Sequence, residues 1–154
     1  MPESTVNQID EYYRLIAERT ARGELERRPL RFLFIDDDEE FNQMVQITFG
    51  KSGIVVDSAL TANEGHRKAV SQTPPYTLIV LDVVGIGKPL PDAFRDLKRD
   101  LPSVPVAICT GYAAAPEIQE CLKYGNFWLL DKPLDIKRLA GIFEHYRDML
   151  APQN

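Results

Sequence analysis

Cysteine and histidine are scarce in this chain, two of each among 154 residues, and it has neither long apolar runs nor an excess of basic charge. Cys109 lies in an apolar run and Cys121 in a helical one, without C-x-x-C spacing and without histidines clustered around them. Both are expected as reduced, packed thiols. His66 and His145 fall on helical stretches of a chain that otherwise reads as a sheet protein, which makes them surface residues rather than phosphodonors. No apolar run approaches the roughly 20 residues that span a bilayer. The N-terminus carries acidic residues where a signal peptide would be basic and then apolar, so a cytoplasmic protein with no membrane insertion is expected. Lysine and arginine total 18 against 23 aspartates and glutamates, a formal charge of -5. Binding a phosphate backbone takes clustered cations that displace counterions, so no nucleic-acid partner is expected.

What the chain does have is 44% apolar residues, enough for one core but not for a second domain of ordinary size. From Arg31 onward, short runs rich in β-branched residues alternate with longer stretches of helical period, the pattern of a parallel sheet covered by helices. The spacing predicts strands at 31–36, 54–58, 76–82, 104–109 and 127–131, with helices near 39–50, 62–71, 91–100, 115–123 and 135–150. Turn residues support the division: Lys51-Ser52-Gly53, Thr73-Pro74-Pro75 and Leu101-Pro102-Ser103 close the first three of these helices. The expected fold class is α/β, a doubly wound five-stranded parallel sheet. Its order, 2-1-3-4-5 as in flavodoxin-like folds, is a fold-level expectation, because periodicity does not give strand order.

Residues 1–29 stand outside this alternation, as a helical extension to a domain at 30–154. Ile9, Tyr12, Tyr13 and Ile16 recur at i, i+3, i+4 and i+7, which reads as one amphipathic helix fraying towards Gly23 and ending before Pro29. No second helix follows within it, so it is not a helix-turn-helix. Its near-neutral charge disfavours a membrane-surface helix. The stripe either packs on its own domain or pairs two chains as a homodimer or docks a partner; one stripe does not name its acceptor.

Ligands of open parallel sheets bind beyond the carboxyl ends of the strands. Here the first strand ends in Asp36-Asp37-Asp38, the third in Asp82, the fourth runs into Thr110, and the fifth delivers Lys132-Pro133. Converging at one edge, these residues place several carboxylates, a hydroxyl and an ammonium in one shallow cleft. Carboxylates so close repel one another, and a hard divalent cation with oxygen ligands, naturally Mg2+, relieves this most simply. A carboxylate beside that cation can attack phosphorus while the metal, an ammonium and a hydroxyl neutralise the equatorial oxygens. Taken singly the residues are weak signals: Asp38 reads as the N-cap of the helix starting near Glu39, Thr110 as a turn residue and Lys132 as a surface charge.

In this order and on these strand ends, the residues resemble the response-regulator receiver family over roughly residues 30–150. The resemblance implies that Asp82 is the phosphoacceptor, that Asp37 binds Mg2+ directly and Asp36 through water, and that the Val84 carbonyl is a further metal ligand. It implies that Thr110 and Lys132 stabilise the phosphoryl group and that the Lys132-Pro133 bond is cis. The phosphoryl donor would be a histidine kinase or phosphotransfer protein, and the output a protein-protein contact with a downstream target. On this reading the chain is a stand-alone response regulator, with no enzymatic activity beyond its own phosphotransfer and slow autodephosphorylation.

Two features depart from the family. Where the family has a proline four residues after the acceptor and then Asp-Gly, this chain reads Val83-Val84-Gly85-Ile86-Gly87-Lys88-Pro89-Leu90-Pro91-Asp92. The aromatic switch position three residues before the lysine is Leu129, and the neighbouring Trp128 points to the opposite side by strand alternation and is expected to pack in the core. Val84 and Tyr112 flank the expected path of the hydrolytic water, and neither positions water as an acid or amide does, so a long-lived aspartyl phosphate is expected. Two other functions compete. A pseudo-receiver would use the same fold for binding alone, and the rebuilt loop favours it. A phosphohydrolase of haloacid dehalogenase type would use Asp36-x-Asp38, but it needs further acids after the lysine and leaves Asp82 unexplained.

Overall fold

The computed structural model describes residues 5–111 and 115–152. Strands β1 (Arg31–Ile35), β2 (Val55–Ala59), β3 (Leu78–Asp82), β4 (Val106–Thr110) and β5 (Trp128–Asp131) form one parallel sheet in the order β2-β1-β3-β4-β5. The doubly wound α/β fold and its order are those expected. Helices α1 (Thr5–Ala21), α2 (Glu39–Lys51), α3 (Ala62–Ser71), α4 (Leu90–Asp100), α5 (Pro116–Cys121) and α6 (Ile136–Leu150) complete it.

Successive side chains of a strand face opposite ways, and a sheet covered on both faces needs both sets apolar. Phe32, Phe34, Val80 and Leu130 therefore enter the core beneath α1, α2 and α6, while Leu33, Ile35, Leu81 and Ile108 enter the core beneath α3, α4 and α5. Every residue of β3 and β4 is buried. The same alternation sends Trp128 towards the α1 side and Leu129 towards the α4 side, as their sequence positions require.

β1 starts where expected, and the other four strands start one or two residues later than their apolar runs imply. Ile54, expected in β2, gives its N–H to Phe49 O and so closes α2. Val104 gives its N–H to the turn carbonyl of Leu101, and Pro105 has none to give. The helix expected over 115–123 is α5 followed by one tighter 3-10 turn, Leu122–Tyr124. Helix starts are well marked: Asp38, Thr61 and Asp135 each cap a helix by accepting from the N–H three residues on.

The apolar stripe of α1 is satisfied within the chain. Ile9, Tyr13 and Ala17 are buried, with Tyr12 and Ile16 half-buried beside them. The Tyr13 ring stands edge-on to Phe143 at 5.0 Å, and Tyr12 stands edge-on to Trp128 at 5.0 Å. Tyr13 donates to Thr77 O at 2.9 Å and Tyr146 of α6 donates to Asp10 at 2.9 Å. Of the three acceptors open to this helix, the chain's own domain takes the stripe.

Both cysteines are free, buried thiols, and burial pushes them up, Cys109 to about 12 and Cys121 to about 11. His66 is less free than a surface residue, since it bonds Asp100 at 2.7 Å and ties α3 to α4. Among the described residues no helix is long and apolar enough to cross a membrane.

Candidate functional site

Four strands end at one edge, and the residues at or just beyond their ends lie there. Asp82 closes β3 and is 4% exposed; Thr110 closes β4 and is 4% exposed; Asp36 follows β1 and is 5% exposed. Lys132 follows β5, its N–H held by Thr110 O at 3.0 Å, and its peptide bond to Pro133 is cis. Its ammonium crosses over β4 to donate to Asp82 Oδ1 at 2.7 Å and stands 3.8 Å from Asp36 Oδ2.

Asp82 Oδ1 also accepts the N–H of Val83 at 2.9 Å. Both bonds fall on one carboxylate oxygen, and no bond to Oδ2 is found among the described residues. Asp36, Asp37 and Asp82 each offer an oxygen, and these atoms lie within 4.8 Å of one another. Burial, reinforced by the charges of Asp82 and Asp37, pushes the Asp36 carboxyl up to about 6, against the N–H of Asp38 and the charge of Lys132. Burial also disfavours the Lys132 ammonium, but its bond to Asp82 and the charges of Asp82 and Asp36 hold it above the usual lysine range. Three carboxylates face one ammonium, so the cleft carries surplus negative charge that a divalent cation with oxygen ligands would neutralise. The donor set fits Mg2+.

The loop after β3 is anchored despite its unusual sequence. Ile86 is 1% exposed in the core, and its carbonyl accepts from Ala62 N–H at 2.8 Å at the start of α3. Lys88 pairs with Asp96 of α4 at 3.2 Å, and Leu90 and Pro91 are buried. Gly85 takes a φ of +81°, and a Cβ there would fall on the carboxylate of Asp37. The glycine thus serves both the left-handed turn and the space Asp37 occupies. Val84, between Val83 and this glycine, is 70% exposed. Leu129 is half-buried among the α3–α5 core residues, and Tyr112 lies outside the described residues.

Sequence reasoning passed over two residues of this edge. Gly85 was legible only as a turn residue, because its contact with Asp37 joins two distant loops. Asn42 is 2% exposed on α2, where its Nδ2 donates to Asp36 O at 2.9 Å. Its signal was available: an amide at the head of a stripe continued by Val45 and Phe49 is a polar residue on a buried face.

The response regulator receiver domain family matches residues 32–144, a stretch that includes Asp36, Asp82, Thr110 and Lys132. The chain belongs to that family. This receiver domain is 29% identical over 111 residues to the response regulator protein PilR of Pseudomonas aeruginosa, covering 71% of this chain and 24% of PilR. It is 29% identical over 120 residues to the photosynthetic apparatus regulatory protein RegA of Cereibacter sphaeroides, covering 78% of this chain and 64% of RegA. The chain thus spans less than two thirds of either relative. Among solved structures, a CheY-like receiver domain protein of Methanospirillum hungatei superposes with a TM-score of 0.67 at 22% identity, covering 79% of this chain and 96% of that one. A receiver domain protein of Clostridium thermocellum gives 0.65 at 23% identity, covering 77% and 94%. These likenesses carry the fold, and the family places the chain among the receivers of two-component signalling.

Proposed function

We propose that this receiver accepts a phosphoryl group on Asp82 from a histidine kinase or phosphotransfer protein. The observation that carries the reading is the asymmetry of Asp82 beside the acidic pair: Lys132 Nζ and Val83 N–H occupy Oδ1, no bond to Oδ2 is found among the described residues, and Asp36, Asp37 and Asp82 each bring a carboxylate oxygen within 4.8 Å of the others. Oδ2 is then the nucleophile. It forms the new P–O bond as the bond from phosphorus to the donor's nitrogen, or to the leaving oxygen of a small acyl phosphate, breaks and its electron pair departs with the donor. Asp36, Asp37, Asp82 and the Val84 carbonyl would hold Mg2+, which when bound screens the carboxylates and the incoming phosphoryl oxygens. Lys132 and Thr110 take the remaining charge on those oxygens, both starting from the carboxyl end of the sheet.

The readout then runs from Thr110 through Leu129 on the α4 side of the sheet to a protein target, with no aromatic at the switch position. Val84 and Tyr112 set a slow hydrolysis. In this division residues 1–29 are an extension to a receiver at 30–154, supported by the start of the family match at residue 32. Pairing of two chains through the extension would use its outward face around Leu15, which is 46% exposed, because Ile9 and Tyr13 are taken up within the chain. A cytoplasmic location belongs to the same proposal, and the charge of -5 supports an output by contact rather than by DNA binding.

The test is an amide NMR titration with Mg2+ and then beryllofluoride, a phosphoryl mimic. Shifts at Asp82, Val83, Thr110 and Lys132 are expected, weakened or lost in Asp82→Asn. Shifts confined to other surfaces would overturn the reading.

A further inference from the structure

We propose that Asn42 is a positioning residue for the cation-binding carboxylates: from inside the core it holds the Asp36 carbonyl and so fixes the turn that aims Asp36 and Asp37 into the cleft. The inference rests on the reading of the cleft given above.

Asn42 lies on the packed stripe of α2, in line with Val45 and Phe49, and is 2% exposed. A buried amide is costly unless each of its polar groups finds a partner. Here only one side does: Nδ2 donates to Asp36 O at 2.9 Å, while no donor among the described residues reaches Oδ1. Leucine would fill this place without that penalty, as its apolar neighbours fill the rest of the stripe. For packing alone the amide is a poor choice. For holding one carbonyl it is a direct one.

That carbonyl is the hinge between strand and helix. The pairing of β1 with β3 ends at Ile35 opposite Leu81, so the Asp36 carbonyl lies past the ladder and needs another partner. Asp36 N–H still reaches Ala59 O of β2 at 3.0 Å, its carbonyl takes Asn42 of α2, and its Oδ1 accepts Asp38 N–H of the turn at 3.0 Å. Three bonds from three segments fix the backbone on both sides of Asp36 and one of its carboxylate oxygens. The second oxygen, Oδ2, is left towards Lys132 and Asp82. Asp37 is the next residue in this turn, so its carboxylate depends on the same hinge. Asn42 bonds neither Asp82 nor Lys132 and acts through Asp36.

Asn42→Leu removes the donor at similar volume, and Asn42→Asp keeps the shape but turns an acceptor on the Asp36 carbonyl. The expected result for Asn42→Leu is a thermal midpoint in EDTA within a few degrees of wild type, because loss of the unpaired Oδ1 offsets the Asp36 carbonyl left without its donor, together with a Mg2+ dissociation constant by titration calorimetry roughly tenfold weaker, the loss typical of an outer-shell partner. Asn42→Asp is expected to bind Mg2+ more weakly still. If Asn42→Leu does not fold, Asn42→Asp carries the same comparison. A variant that folds and binds Mg2+ within about twofold of a Mg2+-binding wild type overturns this inference alone. A wild type that binds no Mg2+ overturns the reading of the cleft and this inference with it.

Discussion

Lys132 and Asp82 are 50 residues apart in sequence and stand at the ends of strands that are not neighbours, yet Nζ and Oδ1 meet at 2.7 Å across the end of β4. The bond ties the last strand to the middle one at the edge where the acidic residues gather, and it occupies one of the two carboxylate oxygens of Asp82.

Lys132→Ala should therefore act on chemistry more than on stability. Phosphoryl uptake from acetyl phosphate is expected to slow by a factor on the order of 100, the usual cost of one preorganised charge. The Lys132 side chain is 38% exposed, so screening limits the stability loss to about 1 kcal/mol or less. Quench-flow or gel-shift kinetics beside urea unfolding separate the two effects, and the reverse pattern would make Lys132 a structural residue.

Asp36 gives a pH dependence of known sign. Its folded carboxyl titrates near 6, above its unfolded value of 3.8, so the folded state holds this proton more tightly than the unfolded chain. Its contribution is fully present at pH below the unfolded value and is lost as pH rises through about 6. In EDTA, Asp36→Asn is expected to be more stable than wild type at pH 7.5, by about 1 to 2 kcal/mol, and to converge with it near pH 4. With Mg2+ in excess the order reverses, since the variant loses a ligand. Thermal unfolding at several pH values checks this.

Gly85→Ala tests the rebuilt loop. The positive φ alone costs about 1 kcal/mol or more, and the added Cβ displaces Asp37. A roughly tenfold weaker Mg2+ affinity is expected by calorimetry, a loss of the size seen when a metal ligand's support is removed. Unchanged affinity would mean that Asp37 stands outside the cation site.

Much of this was readable in advance because the carboxyl ends of buried strands are marked twice, once by an apolar run and once by the polar residue that stops it. Asp36, Asp82 and Thr110 carry that double mark, and Lys132 follows one residue after Asp131, which carries it on the fifth strand. Contacts between loops carry no such mark: nothing in Gly85 names Asp37, and nothing in Asn42 names a carbonyl six residues earlier. The stripe of α1 was legible as a stripe, but its acceptor was set by Phe143 and Trp128, which arrive from the far end of the chain.

That packing seats α1 on the sheet and α6. Tyr13→Ala, which empties a fully buried ring site beside Phe143, is expected to cost about 3 to 5 kcal/mol. Tyr13→Phe, which removes only the bond to Thr77 O, should cost about 1 kcal/mol. Urea unfolding gives both numbers. A loss below 1 kcal/mol for the alanine variant would mark α1 as a loosely docked arm.

The phosphorylated protein is expected to persist for minutes or longer, and Val84→Asn to shorten that lifetime several-fold by offering an amide to the hydrolytic water. A phosphoryl lifetime of seconds in the wild type would show that another group already positions that water.

The most direct test of the central claim is intact mass after incubation with acetyl phosphate and Mg2+. One added phosphoryl group on wild type, absent from Asp82→Asn and abolished by EDTA, is the predicted result. No addition to wild type, or an equal addition to Asp82→Asn, would contradict it.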